Sequence, residues 1–272
     1  MEIDYTRLML GMPLEYKTNT ENPNYNINFR IPTIEDLVTT DSVQFAIYSR
    51  VFTATIREIY SDESARVDQV ERDYPTIWDA AWDTEMTDEV AMKLYKIPDL
   101  KLLPMIVGGF AYWIGYDHTK LDDFKPLSNK KIVNEKLDWV IDKDVFKEFC
   151  KVVRCVTLSK PNEDLIAPKN QTPNQQKRWD KLYAGRLRKY QRESKNDTLG
   201  DHILDFEVAS QTFVPMDEIK KLTYYQFMNM LKGYGLRDAS DKQFSIYTSY
   251  KYDTKDMKIK DWRDDLTLTK IE

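Results

Sequence analysis

Glycine is scarce in this chain of 272 residues, with only 8. That argues against a turn-rich β-sandwich or barrel and against folds built on glycine-rich phosphate loops. The two cysteines, Cys150 and Cys155, sit five apart in one segment. Side chains at that spacing diverge on a helix, so no disulfide is expected, and two thiols cannot close a zinc site. A reducing compartment fits. The most apolar segment, Leu102 to Tyr116, is interrupted by Pro104 and by Gly108-Gly109, and it falls short of the ~20 residues that cross a bilayer. Met1-Glu2-Ile3-Asp4 carries acids where a secretory signal needs a basic stretch. A cytoplasmic location is expected. There are no internal repeats and no low-complexity tracts.

Chemistry-bearing motifs are equally sparse. No nucleophile elbow, Walker loop, dinucleotide fingerprint or HExxH occurs. Only two histidines are present. His118 lies near Asp122 and Asp123 without ligand spacing and reads as a loop histidine after a core helix; His202 reads as a surface residue. Gly108-Gly109 sits inside an apolar run, which points to close helix packing or a kink. No catalytic residue, metal or cofactor is expected, and the chain is not expected to be an enzyme.

What the chain does have is aromatic residues (12%) and charge (31%) in an ordinary globular balance, enough for a sizeable core. Its net charge of −5 gives no global pull toward nucleic acid or anionic membrane. Tyr25, Ile27, Phe29 and Ile31 alternate with Asn24, Asn26, Asn28 and Arg30, the period of a strand, and Leu14-Glu15-Tyr16 can pair with it as a hairpin. A short helix is predicted over Ile34 to Val38, then one from Asp41 or Ser42 to about Tyr60, with Ile47, Val51 and Ala54 on one stripe. Residues 61–90 carry an acid excess that reads mainly as a solvated face, with docking on a basic partner as the alternative. Within them Trp78 and Trp82 share a helical face. Helices follow at 87–96 and about 98–115, then a loop over 120–131, a short strand at 137–141, and a helix N-capped by Asp142 that turns Phe146, Phe149, Cys150, Val153 and Val156 inward.

The proline-bearing stretch from Lys160 to Pro173 reads as a linker. It divides a mixed α+β part, residues 1–160, from a helical, bundle-like part, residues 161–272. The whole is therefore mainly α with a small N-terminal β-hairpin. In the second part a basic helix spans about 173–194, with Trp179, Leu182, Tyr183, Leu187 and Tyr190 as an apolar stripe and Lys177, Arg178, Lys181, Arg186, Arg188, Lys189, Arg192 and Lys195 outside it. Such a helix suits protein docking or a solvated bundle, and less well nucleic acid on an acidic chain. A helix near 199–212 carries Leu199, Ile203 and Phe206, with Leu204 and Val208 beside them. Thr223 and Gln226 form a capping box for a helix to Gly233, and another is predicted over 239–252.

Several of these segments, taken in order, resemble a known family. Leu8 to Leu14 reads Leu-x-x-Gly-x-Pro-Leu, and 29–37 reads Phe-Arg-Ile-Pro-Thr-Ile-Glu-Asp-Leu. This resembles the opening of tail assembly chaperones of long-tailed bacteriophages, with Phe45-Ala-Ile-Tyr48 in place of the helix that follows there. Trp139 to Phe149 precedes a loop and the basic helix, as in that family, although the family's Asn-Pro-x-Asn turn is replaced by Asn170-Gln-Thr-Pro-Asn174. Leu222 to Leu231 resembles its Leu-Thr-x-Tyr-Gln-Leu helix, and Asp256 to Trp262 its closing Val-x-Ile-x-x-Trp.

The resemblance implies a non-enzymatic protein of the host cytoplasm that coats the tape-measure protein before tail-tube subunits polymerise, with self-association open. Arg186, Arg188, Lys189, Arg192, Tyr224, Tyr225, Phe227, Met228, Met230 and Trp262 are the candidate protein-binding residues. The aromatic and Met residues among them equally suit a helical core. The alternatives are a tail or neck subunit of the virion and an accessory protein binding nucleic acid through the basic helix.

Overall fold

The computed structural model describes residues 2–18, 26–39, 41–194, 198–210, 212–249, 251, 255 and 257–271. Asn24, Tyr25, Lys195 and Asp256, which carry parts of the sequence reading, lie outside them. The described residues are mainly helical, with two small antiparallel sheets. A first helix α1 (Tyr5–Met9) leads into strands β1 (Leu14–Lys17) and β2 (Asn26–Phe29), which form the expected hairpin in the register Leu14↔Phe29 and Tyr16↔Ile27. Leu14, Tyr16 and Phe29 point into the core, as strand alternation dictates. A Thr33–Asp36 capping box starts α2 (Ile34–Val38).

Helix α3 (Asp41–Thr53) stops short of the predicted end near Tyr60, and α4 (Ile56–Ile59) begins afresh. The reason is local. Thr55 adopts an extended backbone, its hydroxyl accepts from Glu58 N–H (3.2 Å), and its own N–H donates to the Glu58 carboxylate (2.8 Å). That reciprocal box offers the backbone an alternative to the i→i−4 ladder and resets the helix.

The acidic stretch then forms α5 (Val67–Asp73), α6 (Ile77–Ala81) and α7 (Met86–Tyr95). Many of its carboxylates have intramolecular work. Asp79 caps α6 through Thr76, Asp83 accepts from the Tyr74 hydroxyl (2.9 Å), and Glu89 pairs with Arg66. The following α8 (Leu102–Trp113) is buried over nearly its whole length. Its two glycines permit close approach to α3: a Cβ on Gly108 would stand 2.6 Å from the Tyr48 ring, and one on Gly109 2.6 Å from Phe52.

The span predicted as a loop over 120–131 contains a strand, β3 (Lys125–Leu127), which pairs with β4 (Lys131–Asn134) and then β5 (Trp139–Ile141) in a second sheet. Strands of three or four residues are too short to show a period, and Pro126 sits on the edge strand, where a missing N–H costs least. Asp142 N-caps α9 (Lys143–Thr157) by accepting from Asp144 and Val145 N–H. Phe146 and Phe149 of α9 meet Phe52, Phe110 and Trp139 in the centre of the main core.

After the connection at 158–172 come α10 (Pro173–Glu193), α11 (Leu199–Ala209), an unforeseen α12 (Met216–Lys221) and α13 (Tyr224–Tyr247). Residues predicted as two helices, 223–233 and 239–252, belong to one helix as far as Tyr247, running through Gly233 and Gly235. Neither glycine takes the left-handed conformation that ends helices. A second, smaller core gathers Ile34, Phe206, Ile219 and Phe227, and it is tied to the N-terminal part where Tyr224 N–H donates to Pro32 O (3.0 Å) and Ile34 N–H to Leu222 O (2.8 Å).

Candidate functional site

Pro173 at the first turn and the Thr172–Gln175 capping box fix the start of α10. One face then docks on the main body. Trp179 is buried, with its indole N–H donating to Ser61 O (2.7 Å), and Ser64 donates to the Asp180 carboxylate (2.7 Å). Tyr183 and Leu187 continue that face half-buried, whereas Leu182 and Tyr190, expected on the same stripe, are exposed because they lie at its margin and beyond the docked turns.

The four candidate cations of this helix do different things. Arg186 donates to Asp164 O (2.9 Å) and lies over the Trp179 ring, so it fastens the helix to the preceding connection. Arg192 donates to the Arg188 carbonyl (3.3 Å), and Lys189 approaches Glu193 at 3.8 Å. Arg188, Lys189 and Arg192 are exposed along the outward side.

The candidate residues on α13 also separate. Tyr225 and Phe227 are fully buried, so they build the cores and offer no free surface. Tyr225 donates to Thr269 O (2.9 Å), and Phe227 packs on Phe206 with ring centres 5.1 Å apart. Tyr224 and Met228 are half-buried against the second core. Met230 and Trp262 come together: with Met9, Tyr234 and Leu266 they line an apolar groove of about 390 Å³ between α13 and the C-terminal segment. That segment is held in place as an extended strap, since Thr269 N–H donates to Asn229 (2.8 Å) and Lys232 donates to Thr267 O (2.9 Å).

Sequence reasoning missed a second apolar surface. Leu204 and Val208, read as lying beside the inward face of α11, are 61% and 78% exposed, and Phe213 and Met216 beyond them are 82% and 50% exposed. The i, i+4 spacing of Leu204 and Val208 was the available signal, but it does not say whether a partner helix covers them. His118 stacks on the Tyr48 ring, with ring centres 5.6 Å apart, and His202 lies on α11. No group of three or more His, Cys, Asp or Glu side chains placed to hold a metal occurs among the described residues. None of the described helices is long and apolar enough to cross a membrane.

Residues 191–267 match the family model of the YomV second domain. This family is phage-derived, which connects the C-terminal part of the chain with phage. No curated protein and no solved structure matches the chain. The span similar to the YomV second domain takes in α11, α12, α13 and the turn at Trp262. It therefore contains most of the lining of the apolar groove, all but Met9 and Leu268, and the exposed face of Leu204, Val208, Phe213 and Met216. Phe244, Ile246 and Tyr247, near the end of α13, are exposed within it as well.

Proposed function

We propose that this chain is a phage tail assembly chaperone, binding the tape-measure protein in the host cytoplasm and helping to recruit tail-tube subunits, without making or breaking covalent bonds. The observation that supports this reading most directly is the concentration of uncovered apolar side chains in the span similar to a phage-derived family. Leu204, Val208 and Phe213 expose more than half of their surface. With that fraction still exposed, each offers about 1–2 kcal/mol to a partner that buries it fully. A long helical client presents repeated apolar stripes, and Met-bearing surfaces such as the groove at Met9 and Met230 adapt to varied sequences.

The test is co-expression with the products of the neighbouring genes, among them a tape-measure and a tail-tube protein if the reading is right, followed by pull-down. A soluble complex with the tape-measure protein is expected, lost when Leu204, Val208 and Phe213 are replaced together by Ser. Mature particles should lack the chain by mass spectrometry. Its stoichiometric presence there would make it a tail or neck subunit and overturn the chaperone reading.

A further inference from the structure

A groove of about 650 Å³ runs between α10 and the body of the molecule, and no residue of α11 or α13 lines it. Ala54, Ile59, Leu165 and Leu187 give it an apolar floor, and Tyr183 and Tyr190 stand along its α10 wall. Arg50, Lys96 and Lys160 line it too, from α3, from the end of α7 and from the connection after α9. None of these three cations makes an ion pair among the described residues, and all three are exposed. The carboxylates of the groove are already engaged. Glu58 accepts from the Thr55 N–H and hydroxyl (2.8 and 2.9 Å), and Asp62 is paired with Lys93 at 3.0 Å. A positive excess is therefore left facing a trough of mixed polar and apolar lining.

We propose that this groove binds an acidic, apolar-punctuated segment of a partner polypeptide in extended conformation. Shape argues for a chain in preference to a small anion. Tyr183, Leu187 and Tyr190 follow one another at four and three residues on α10, a row of about 10 Å at 1.5 Å per residue. An extended peptide covers that length in about three residues, sending alternate side chains to opposite sides. Its apolar side chains would lie on the floor and tyrosines while its carboxylates reach Arg50, Lys96 and Lys160. Arg50 and the tyrosines supply the planar and amphipathic surfaces that peptide grooves use. This inference does not depend on the chaperone reading, because it concerns a different face and a different partner chemistry.

The experiment is fluorescence anisotropy on the full chain with a short fluorescein-labelled peptide of alternating Glu and Leu, against the same peptide with Lys for Glu. Saturable binding of the acidic peptide alone is expected, weakening as salt is raised. The Arg50→Glu/Lys160→Glu variant should lose about tenfold or more in affinity, as loss of paired interface charges does. Lys96→Glu should lose several-fold, and Arg188→Glu, on the outward side of α10, should bind as before. Circular dichroism of each variant confirms the fold, and the two independent charge reversals guard against one of them failing to fold. Absence of saturable binding would overturn the proposal, as would equal affinity for the Lys peptide or unchanged affinity in both folded groove variants. Capture of ATP or a labelled oligodeoxynucleotide in place of the acidic peptide overturns it in favour of a nucleotide site.

Discussion

Replacing Gly109 by alanine sets two effects of known size against each other. Alanine in a helix interior is favoured over glycine by about 1 kcal/mol. At Gly109, however, the new Cβ would stand 2.6 Å from Phe52 Cε2 and 3.3 Å from its Cζ, roughly 1 Å inside the usual carbon–carbon contact of about 3.5–4 Å. Phe52 is fully buried and cannot swing aside, because its ring meets Phe110 at 5.2 Å and Phe146 at 5.3 Å between centres. Overpacking of this kind costs about 1–3 kcal/mol, and the clash is severe enough to place Gly109→Ala at the upper end, a net loss of about 1–2 kcal/mol. Gly185→Ala is the matched control. It lies in α10 with nothing within 4 Å of its Cβ, so it should gain about 1 kcal/mol. Gly108→Ala should fall between the two, since it meets the outer end of the half-buried Tyr48 ring, which can yield. Urea denaturation of the three variants measures the order directly, provided that m is unchanged. A Gly109→Ala protein as stable as the Gly185→Ala protein would refute the close-packing account of α8 against α3.

Arg57 is buried and donates to Asp68, to Glu71 (2.9 Å), and to Ala167 O (2.8 Å), so Arg57→Gln should cost about 3 kcal/mol by stranding those acceptors. The same guanidinium holds the Asp68 carboxyl below its ordinary value. The stabilisation is complete above the unfolded carboxylate pKa near 4, is lost as pH falls through the lower folded value, and should shrink in Arg57→Gln when urea midpoints are followed from pH 5 downward, to about pH 2. Burial pushes the Cys155 thiol up, and it pushes the partly exposed Cys150 up to about 12. Neither should react with a disulfide dye at pH 8 in the native protein, and both should react in urea; rapid native labelling of either would contradict the packing of α9. Tyr225→Phe removes the 2.9 Å bond to Thr269 O, and it should cost about 1 kcal/mol. It should also speed amide exchange over 267–271, and protection equal to wild type there would mean that the strap is held by other contacts.

Features set by a few neighbouring residues were readable before any coordinates. The Asp142 cap and the Thr223–Gln226 box stand where the sequence puts them, because a cap is a contract among residues two or three apart. The inward face of the hairpin follows from alternation in residues 26–29 against 14–17. What failed was weighing one local signal against another. The Thr55–Glu58 box is as plain in the sequence as the others, but the apolar stripe of Ile47, Val51 and Ala54 favoured a helix running past it, and the box prevailed. Gly233 misled in the opposite direction. A glycine ends a helix when it takes the left-handed conformation, and at Gly233 the helix is held through by packing, with Leu266 Cδ1 3.2 Å from where a Cβ would be.

Binding surfaces are harder to read than caps for a physical reason. The side chains that make a sticky surface are those that make a core, and a helix between two cores buries several faces at once. On α13, Tyr225 turns to the main core and the C-terminal strap, while Phe227, two residues on, turns to the second core. Two positions 200° apart on a helix are both buried, so no single stripe in the sequence marks the inside. Met230 packs at the edge of the second core and also lines the groove with Trp262, because residues 262–271 return across the helix, a closure that no local pattern encodes. Leu204 and Val208 pose the converse problem: their stripe is as regular as any buried one, and only the position of α11 beside α13 leaves it uncovered. If that face serves a client, charge introduced there should abolish capture while leaving the unfolding free energy from urea denaturation within about 0.5 kcal/mol of wild type, as exposed substitutions do. A large loss of stability on Val208→Glu would instead mean that the face is covered by the chain itself in solution.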